Sequence, residues 1–260
     1  MKSKIAFLFV YMLFIANSLA QSKALEKKDV EYKDGSQVLK GVSIKPAKLL
    51  EGKPGILILP AWMGIQKHEN EVADLLASMG YCTFIADIYG VDQRPTNTKE
   101  AGAKAGYYKK NITEYQKRIQ LALDELVKMG ANPDKIVVIG YCFGGTGAIE
   151  AARANFKVQG VVSFHGGLGK DATRANAKIN PKVLVLHGAD DPFVSKEEVD
   201  AFQNEMRSSG ADWQMVFYAN AVHAFTHKDA GSDNSKGAAY NEKADKRSWA
   251  AMLTFLKEVL

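Results

Sequence analysis

The stretch Ile136-Val137-Val138-Ile139-Gly140-Tyr141-Cys142-Phe143-Gly144-Gly145 decides how the chain is read. Its first four residues form a short, continuously apolar run, the pattern of a strand covered on both faces. The run then passes through a glycine-flanked turn into an alanine-containing segment, so a strand gives way sharply to a helix beginning near Phe143. That is the layout of a nucleophile elbow with cysteine in the nucleophile's place. Glycine at 140 and 144 removes Cβ atoms that would collide where strand and helix meet, and the residue between them can take a strained conformation that lifts its side chain above the sheet. A helix N-terminus favours an anion, which eases thiolate formation at Cys142 and positions the Phe143 N–H to receive an oxyanion.

On either side of the elbow, Gly55–Leu59, Cys82–Ile85, Val161–Phe164 and Val183–Leu186 are further short apolar runs. They predict parallel strands covered by helices. Alternating segments around Val30–Tyr32 and Val38–Ile44, separated by Asp34-Gly35, predict an antiparallel hairpin at one sheet edge. Between the strands lie stripes of helical period: Val72, Leu75, Leu76 and Met79; Ile112, Tyr115, Ile119, Ala122, Leu123 and Leu126; Trp249, Met252, Leu253 and Leu256. The expected architecture is therefore an α/β fold: a mostly parallel twisted sheet with an antiparallel N-terminal edge and helices on both faces. The stretch 89–110 carries neither pattern and is expected to be a lid, a binding wall or a tolerated surface insertion.

The elbow needs an acid and then a histidine later in the chain. Val183–Leu186 runs into His187-Gly188-Ala189-Asp190-Asp191-Pro192, and a strand near Val216–Tyr218 leads to Ala221-Val222-His223-Ala224-Phe225. Cys142, Asp191 and His223 stand in the required order, with Asp190 as the alternative acid. His223 would take the thiol proton and Asp191 would fix its tautomer. His165 lies at a strand end and is read as structural rather than catalytic, as is His187.

Taken together, Gly140-Tyr141-Cys142-Phe143-Gly144-Gly145, His187 to Val194, His223-Ala224-Phe225 and the tail Ala239-Tyr240-Asn241 to Arg247-Ser248-Trp249 resemble the dienelactone hydrolase family of α/β-hydrolases, over essentially the whole chain after residue 20. The resemblance implies a Cys-Asp-His triad acting on a small ester or lactone. It favours Asp191 over Asp190 through the spacing Gly188-x-x-Asp191-x-x-Val194, and it places a second oxyanion donor at the Trp62 backbone N–H in Pro60-Ala61-Trp62-Met63-Gly64. It also marks a departure: Ala61 stands where well-studied members carry a glutamate that helps to activate the thiol, so dienelactone itself is not the expected substrate. Trp62, Tyr141 and Arg94 are the candidate pocket side chains, with core packing as the alternative for Trp62 and simple exposure for Arg94. A thioesterase or general carboxylesterase would use the same chemistry, and a catalytically weak ligand-binding protein is the rival outside enzymes.

Lys2 and Lys4 precede an apolar run from Ile5 to Ile15 and then Ser18-Leu19-Ala20, which reads as a signal peptide cut after Ala20. Residues 21–260 are expected to form a single exported domain, periplasmic or secreted, without stable membrane insertion; an uncleaved anchor is the alternative. The formal charge is +5, and removing Lys2 and Lys4 with no acid leaves +3, which gives no argument for a nucleic-acid partner. The two cysteines, Cys82 and Cys142, fall at opposite ends of parallel strands, too far apart for a disulfide. No cofactor is expected: Cys142 occupies the position where a dinucleotide-binding turn requires glycine. No metal is expected either, because His223 and His227 would need a helical setting and a third ligand.

Overall fold

The computed structural model describes residues 25–46 and 49–260; the expected signal peptide lies outside them. Eight strands form one sheet: β1 (Leu25–Asp34), β2 (Gln37–Pro46), β3 (Gly55–Leu59), β4 (Cys82–Ile85), β5 (Ile136–Tyr141), β6 (Gly160–Phe164), β7 (Lys182–Gly188) and β8 (Trp213–Tyr218). Their order across the sheet is β1-β2-β4-β3-β5-β6-β7-β8. The β1–β2 hairpin and the β2–β4 pairing are antiparallel, and every pairing from β4 to β8 is parallel. The hairpin closes with Asp34 opposite Gln37, so its two turn residues are Gly35, at φ +58°, and Ser36.

Alternation along the central strands divides the core between the two faces. Leu57, Leu59, Val138, Val161, Val183 and Val185 point one way. They pack against α2 (Thr98–Lys110), α3 (Ile112–Lys128), α4 (Phe143–Arg153) and α5 (Lys196–Ser208). Ile56, Ile58, Val137, Ile139, Val162, Leu184 and Leu186 point the other way, against α1 (Lys67–Ser78) and α6 (Glu242–Val259). A strand between two helical layers has no solvent face to mark with polar residues, which is why these segments are apolar throughout. Among the described residues, no helix is long and apolar enough to cross a membrane.

The stretch 89–110 departs from the expected irregular connection: its second half is helix α2. The buried stripe there is Ala101, Ala105 and Tyr108, helical in spacing but made mostly of methyl groups, so its hydrophobic signal is weak. The helix start was nevertheless marked, because the Asn97 side chain accepts the Glu100 N–H at 3.0 Å, as an N-cap does.

Candidate active site

The elbow lies where β5 hands over to α4. Cys142 has φ +55° and ψ −112°, a strained setting for a residue with a Cβ. It is held by its N–H on the Phe164 carbonyl at 3.0 Å and by its carbonyl, which accepts the Thr146 N–H at 3.1 Å. Only glycine fits on either side: a Cβ at position 140 would lie 1.9 Å from the Gly144 carbonyl oxygen, and one at 144 would lie 2.1 Å from that of Leu59.

Three strand ends then converge. His223 Nε2 lies 3.0 Å from Cys142 Sγ, and His223 Nδ1 lies 2.9 Å from Asp191 Oδ2. The second oxygen of Asp191 accepts the Phe193 N–H at 2.9 Å, so this buried carboxylate is held at both ends. Asp190, its neighbour, is exposed. His223 sits after β8 in an isolated bridge with Ala238; its N–H donates to Gly237 and its carbonyl accepts from Ala239. The tail segment singled out in the sequence therefore serves as the backing of this histidine.

Burial pushes the Cys142 thiol up, but the hydrogen bond and positive charge of His223, with smaller contributions from Lys109 and the Phe143 N–H, outweigh it and bring the thiol below its ordinary value. Burial would lower His223; its hydrogen bonds to Asp191 and Cys142 prevail and raise it. The arrangement thus favours a thiolate–imidazolium pair.

The Trp62 N–H has no acceptor among the described residues. The turn around it is tightly fixed: Glu69 Oε1 accepts the Ala61 N–H at 3.1 Å, and the Ala61 carbonyl accepts the Gly64 N–H at 2.9 Å. Glu69 is fully buried at the start of α1, where it also accepts the Gln66 N–H at 3.0 Å.

The structure separates the candidate pocket side chains. The Trp62 indole is partly exposed, at 38%, and stands near Gly102 of α2. Arg94, considered for an anionic substrate group, is instead engaged: its Nη2 donates to Asp87 Oδ2 at 2.8 Å and to the Lys40 carbonyl at 2.6 Å. The cause is Asp87, a buried carboxylate at the end of β4 that needs a counter-charge. Tyr141 is not beside the thiol either. The alternation that lifts Cys142 above the sheet sends Tyr141 into the opposite layer, stacked on Phe164 with ring centroids 4.6 Å apart.

Residues missed in the sequence line a cleft beside the triad, one that Cys142 and His223 do not themselves line. This cleft of about 1280 Å³ includes Lys109, Thr146, Gly167, Phe193 and Glu198, and the Phe193 ring meets the His223 ring edge-on at 5.4 Å. Phe193 is 61% exposed, and its place directly after Asp191-Pro192 was the available signal. Nothing in the pattern marked Lys109 or Thr146.

His165 is fully buried, 5.2 Å from the His223 ring, with Nε2 against Thr226 Oγ1 at 2.8 Å. The His227 ring lies 4.0 Å from that of His68, tilted by 31°, in a stretch that is not helical. Among the described residues, no group of three or more metal-ligating side chains is placed to hold an ion. Cys82 and Cys142 are both free.

The dienelactone hydrolase family model matches residues 39–260. The solved structure of a dienelactone hydrolase-like promiscuous phosphotriesterase from metagenomic libraries is 34% identical, with a TM-score of 0.84, covering 91% of this chain and 99% of its own. A Bradyrhizobium protein named "Probable 2-oxo-3-(5-oxofuran-2-ylidene)propanoate lactonase" is 24% identical over 214 residues, 78% of this chain and 83% of the relative. A Caenorhabditis elegans protein named only as uncharacterized is 35% identical over 144 residues, 54% of this chain and 91% of the relative. With strands β3 to β8, most of β2 and the elbow covered by the family model, the chain belongs to the dienelactone hydrolase family and is a hydrolase of the α/β-hydrolase fold.

Proposed function

We propose that the protein hydrolyses a small carboxylic ester or lactone through a cysteine acyl-enzyme. The observation that carries the reading is the continuous line from Cys142 Sγ through the two nitrogens of His223 to Asp191, with both contacts at 3.0 Å or less. His223 takes the thiol proton, and the thiolate attacks the carbonyl carbon. The oxyanion is received by the N–H groups of Phe143 and Trp62. As the tetrahedral species collapses, the alkoxide leaves with the proton from His223, and a thioester remains on Cys142. Water then gives a proton to His223 and attacks the thioester, releasing the acid and restoring the thiol. Asp191 keeps Nδ1 protonated throughout, so Nε2 is the working nitrogen.

Ala61 does not disable this scheme. The pull of His223, the helix N-terminus and Lys109 lowers the thiol without a neighbouring glutamate. The leader-like residues 1–20 support export of a single domain spanning 21–260 as part of the same proposal.

The test is turnover by protein beginning at Gln21 against small lactones, aryl esters and thioesters, with Cys142→Ala as control. A phosphotriester belongs in the panel because the 34%-identical relative is described as a promiscuous phosphotriesterase. Turnover of an ester or lactone by the native protein and none by the variant supports the reading. A panel untouched by both, with small-molecule binding intact, overturns it in favour of a binding protein.

A further inference from the structure

Two buried tyrosines outside the triad act on the residues assigned to the oxyanion, each through the carbonyl of the peptide that follows the donor N–H. The Tyr89 hydroxyl donates to the Trp62 carbonyl at 2.8 Å, and the Tyr115 hydroxyl donates to the Phe143 carbonyl at 2.9 Å. Each therefore grips one of the two residues whose N–H groups the hydrolytic reading uses. The rings share a platform as well. Tyr89 stacks on the Phe143 ring at 5.7 Å and 7°, and Tyr115 stacks on it at 4.5 Å and 3°. Tyr115 is fully buried and Tyr89 nearly so.

From this geometry we propose that Tyr89 and Tyr115 are positioning residues for the oxyanion hole, a pair of hydroxyl struts that restrain the two residues carrying its donor N–H groups. The inference rests on the hydrolytic reading above.

The backbone around each strut fixes the donor peptide, and the hydroxyl adds a hold on the carbonyl that follows it. On one side, the Ala61 N–H is fixed by Glu69 and the Ala61 carbonyl by the Gly64 N–H, so the peptide that carries the Trp62 N–H already has its plane set. Tyr89 holds the next carbonyl along and stops the Trp62 residue from pivoting about its Cα. On the other side, the Cys142 carbonyl is fixed by Thr146, and Tyr115 reaches the Phe143 carbonyl only because position 147 has no side chain. A Cβ on Gly147 would lie 2.4 Å from the Tyr115 hydroxyl oxygen. Because both tyrosines press on one phenylalanine ring, movement at one donor is resisted at the other. A hole whose donors are pre-set need not reorganise as charge develops.

Tyr89→Phe and Tyr115→Phe keep the stacked rings and remove one hydroxyl each. Each is expected to lower kcat on an aryl ester about threefold to tenfold, the range of one net hydrogen bond, with KM within about twofold. The discriminating readout is alkylation of Cys142 by iodoacetamide, which needs the thiolate but develops no oxyanion. Its rate and pH midpoint are expected to stay unchanged. Gly147→Ala, whose Cβ would lie 2.4 Å from the Tyr115 hydroxyl oxygen and 2.8 Å from its ring carbon Cζ, pushes the hydroxyl off the Phe143 carbonyl and is expected to reproduce the same split if Tyr115→Phe is poorly soluble. The proposal is overturned if kcat is unchanged in both tyrosine variants, or if alkylation slows in parallel with turnover, which marks a general disturbance of the thiol. Turnover retained by Cys142→Ala would instead remove the hydrolytic reading itself, and this inference with it.

Discussion

Replacing Gly140 by alanine tests the elbow at its tightest point. The added Cβ would sit 1.9 Å from the Gly144 carbonyl oxygen, 2.3 Å from its carbon and 2.8 Å from the Gly145 nitrogen. All three are backbone atoms at the start of α4, so no side chain can swing aside. Restoring even a 3.0 Å contact requires β5 and α4 to part by about 1 Å, and a misplacement of that size at a reacting centre costs on the order of 100-fold in rate. Overpacking of this kind costs about 3 kcal/mol when the backbone must yield. For a chain of this size that corresponds to roughly 6–12 °C in melting temperature. Aryl-ester kinetics beside a thermal melt followed by circular dichroism give both numbers. A variant that melts within about 1 °C of the native protein and keeps its kcat would refute the claim that strand, turn and helix are locked together here.

The remaining expectations concern charge and orientation. Asp191→Asn keeps the shape but lets His223 turn to the wrong tautomer, so kcat is expected to fall about 10³- to 10⁴-fold, whereas exposed Asp190→Asn stays within about twofold; equal losses would mean that the acid has been misassigned. Alkylation of Cys142 is expected to have its midpoint below the ordinary thiol value of 9.0, because His223 favours the thiolate, and to move upward in His223→Gln; a midpoint at or above 9.0 in the native protein contradicts the ion pair. Stability is expected to fall as pH drops below 6.5. Burial first, then neighbouring histidines, lowers His68 to about 3, takes His165 well below its ordinary value, and, with the charge of His223, lowers His227 to about 4. Their favourable contribution is therefore present above 6.5 and lost toward acid, at up to about 1.4 kcal/mol per pH unit for each. His223 has the opposite sign, being raised, so its contribution persists below 6.5 and is lost as pH rises through its folded value. Urea melts between pH 7 and 5 should flatten in His227→Gln, and an unchanged slope counts against burial of a neutral ring.

The elbow was readable because its constraint is local: a strand apolar on both faces, two glycines and a helix leave one residue raised above the sheet. Asp191 and His223 were readable for a related reason, each lying a few residues past the end of a predicted strand, where the fold collects its loops. Helix α2 was not, since Ala101 and Ala105 bury too little surface to advertise a face, although the Asn97 cap was present. Side-chain direction was also hidden. Tyr141 touches Cys142 in sequence but faces the other layer, and Arg94 answers to a buried Asp87 that no spacing rule connects to it. Tyr115 was legible only as one position in an apolar stripe. Its hydroxyl finds the Phe143 carbonyl across 28 residues, a contact that depends on how α3 packs on α4.

The most direct test of a cysteine acyl-enzyme is rapid acid quench of the protein with an activated aryl ester, followed by mass spectrometry of the peptide containing residue 142. The expected result is a transient mass increase equal to the acyl group on Cys142, forming within the burst of phenol release, decaying with turnover and absent in Cys142→Ala. Phenol release at the native rate with no acyl adduct, or with the adduct on another residue, would contradict it.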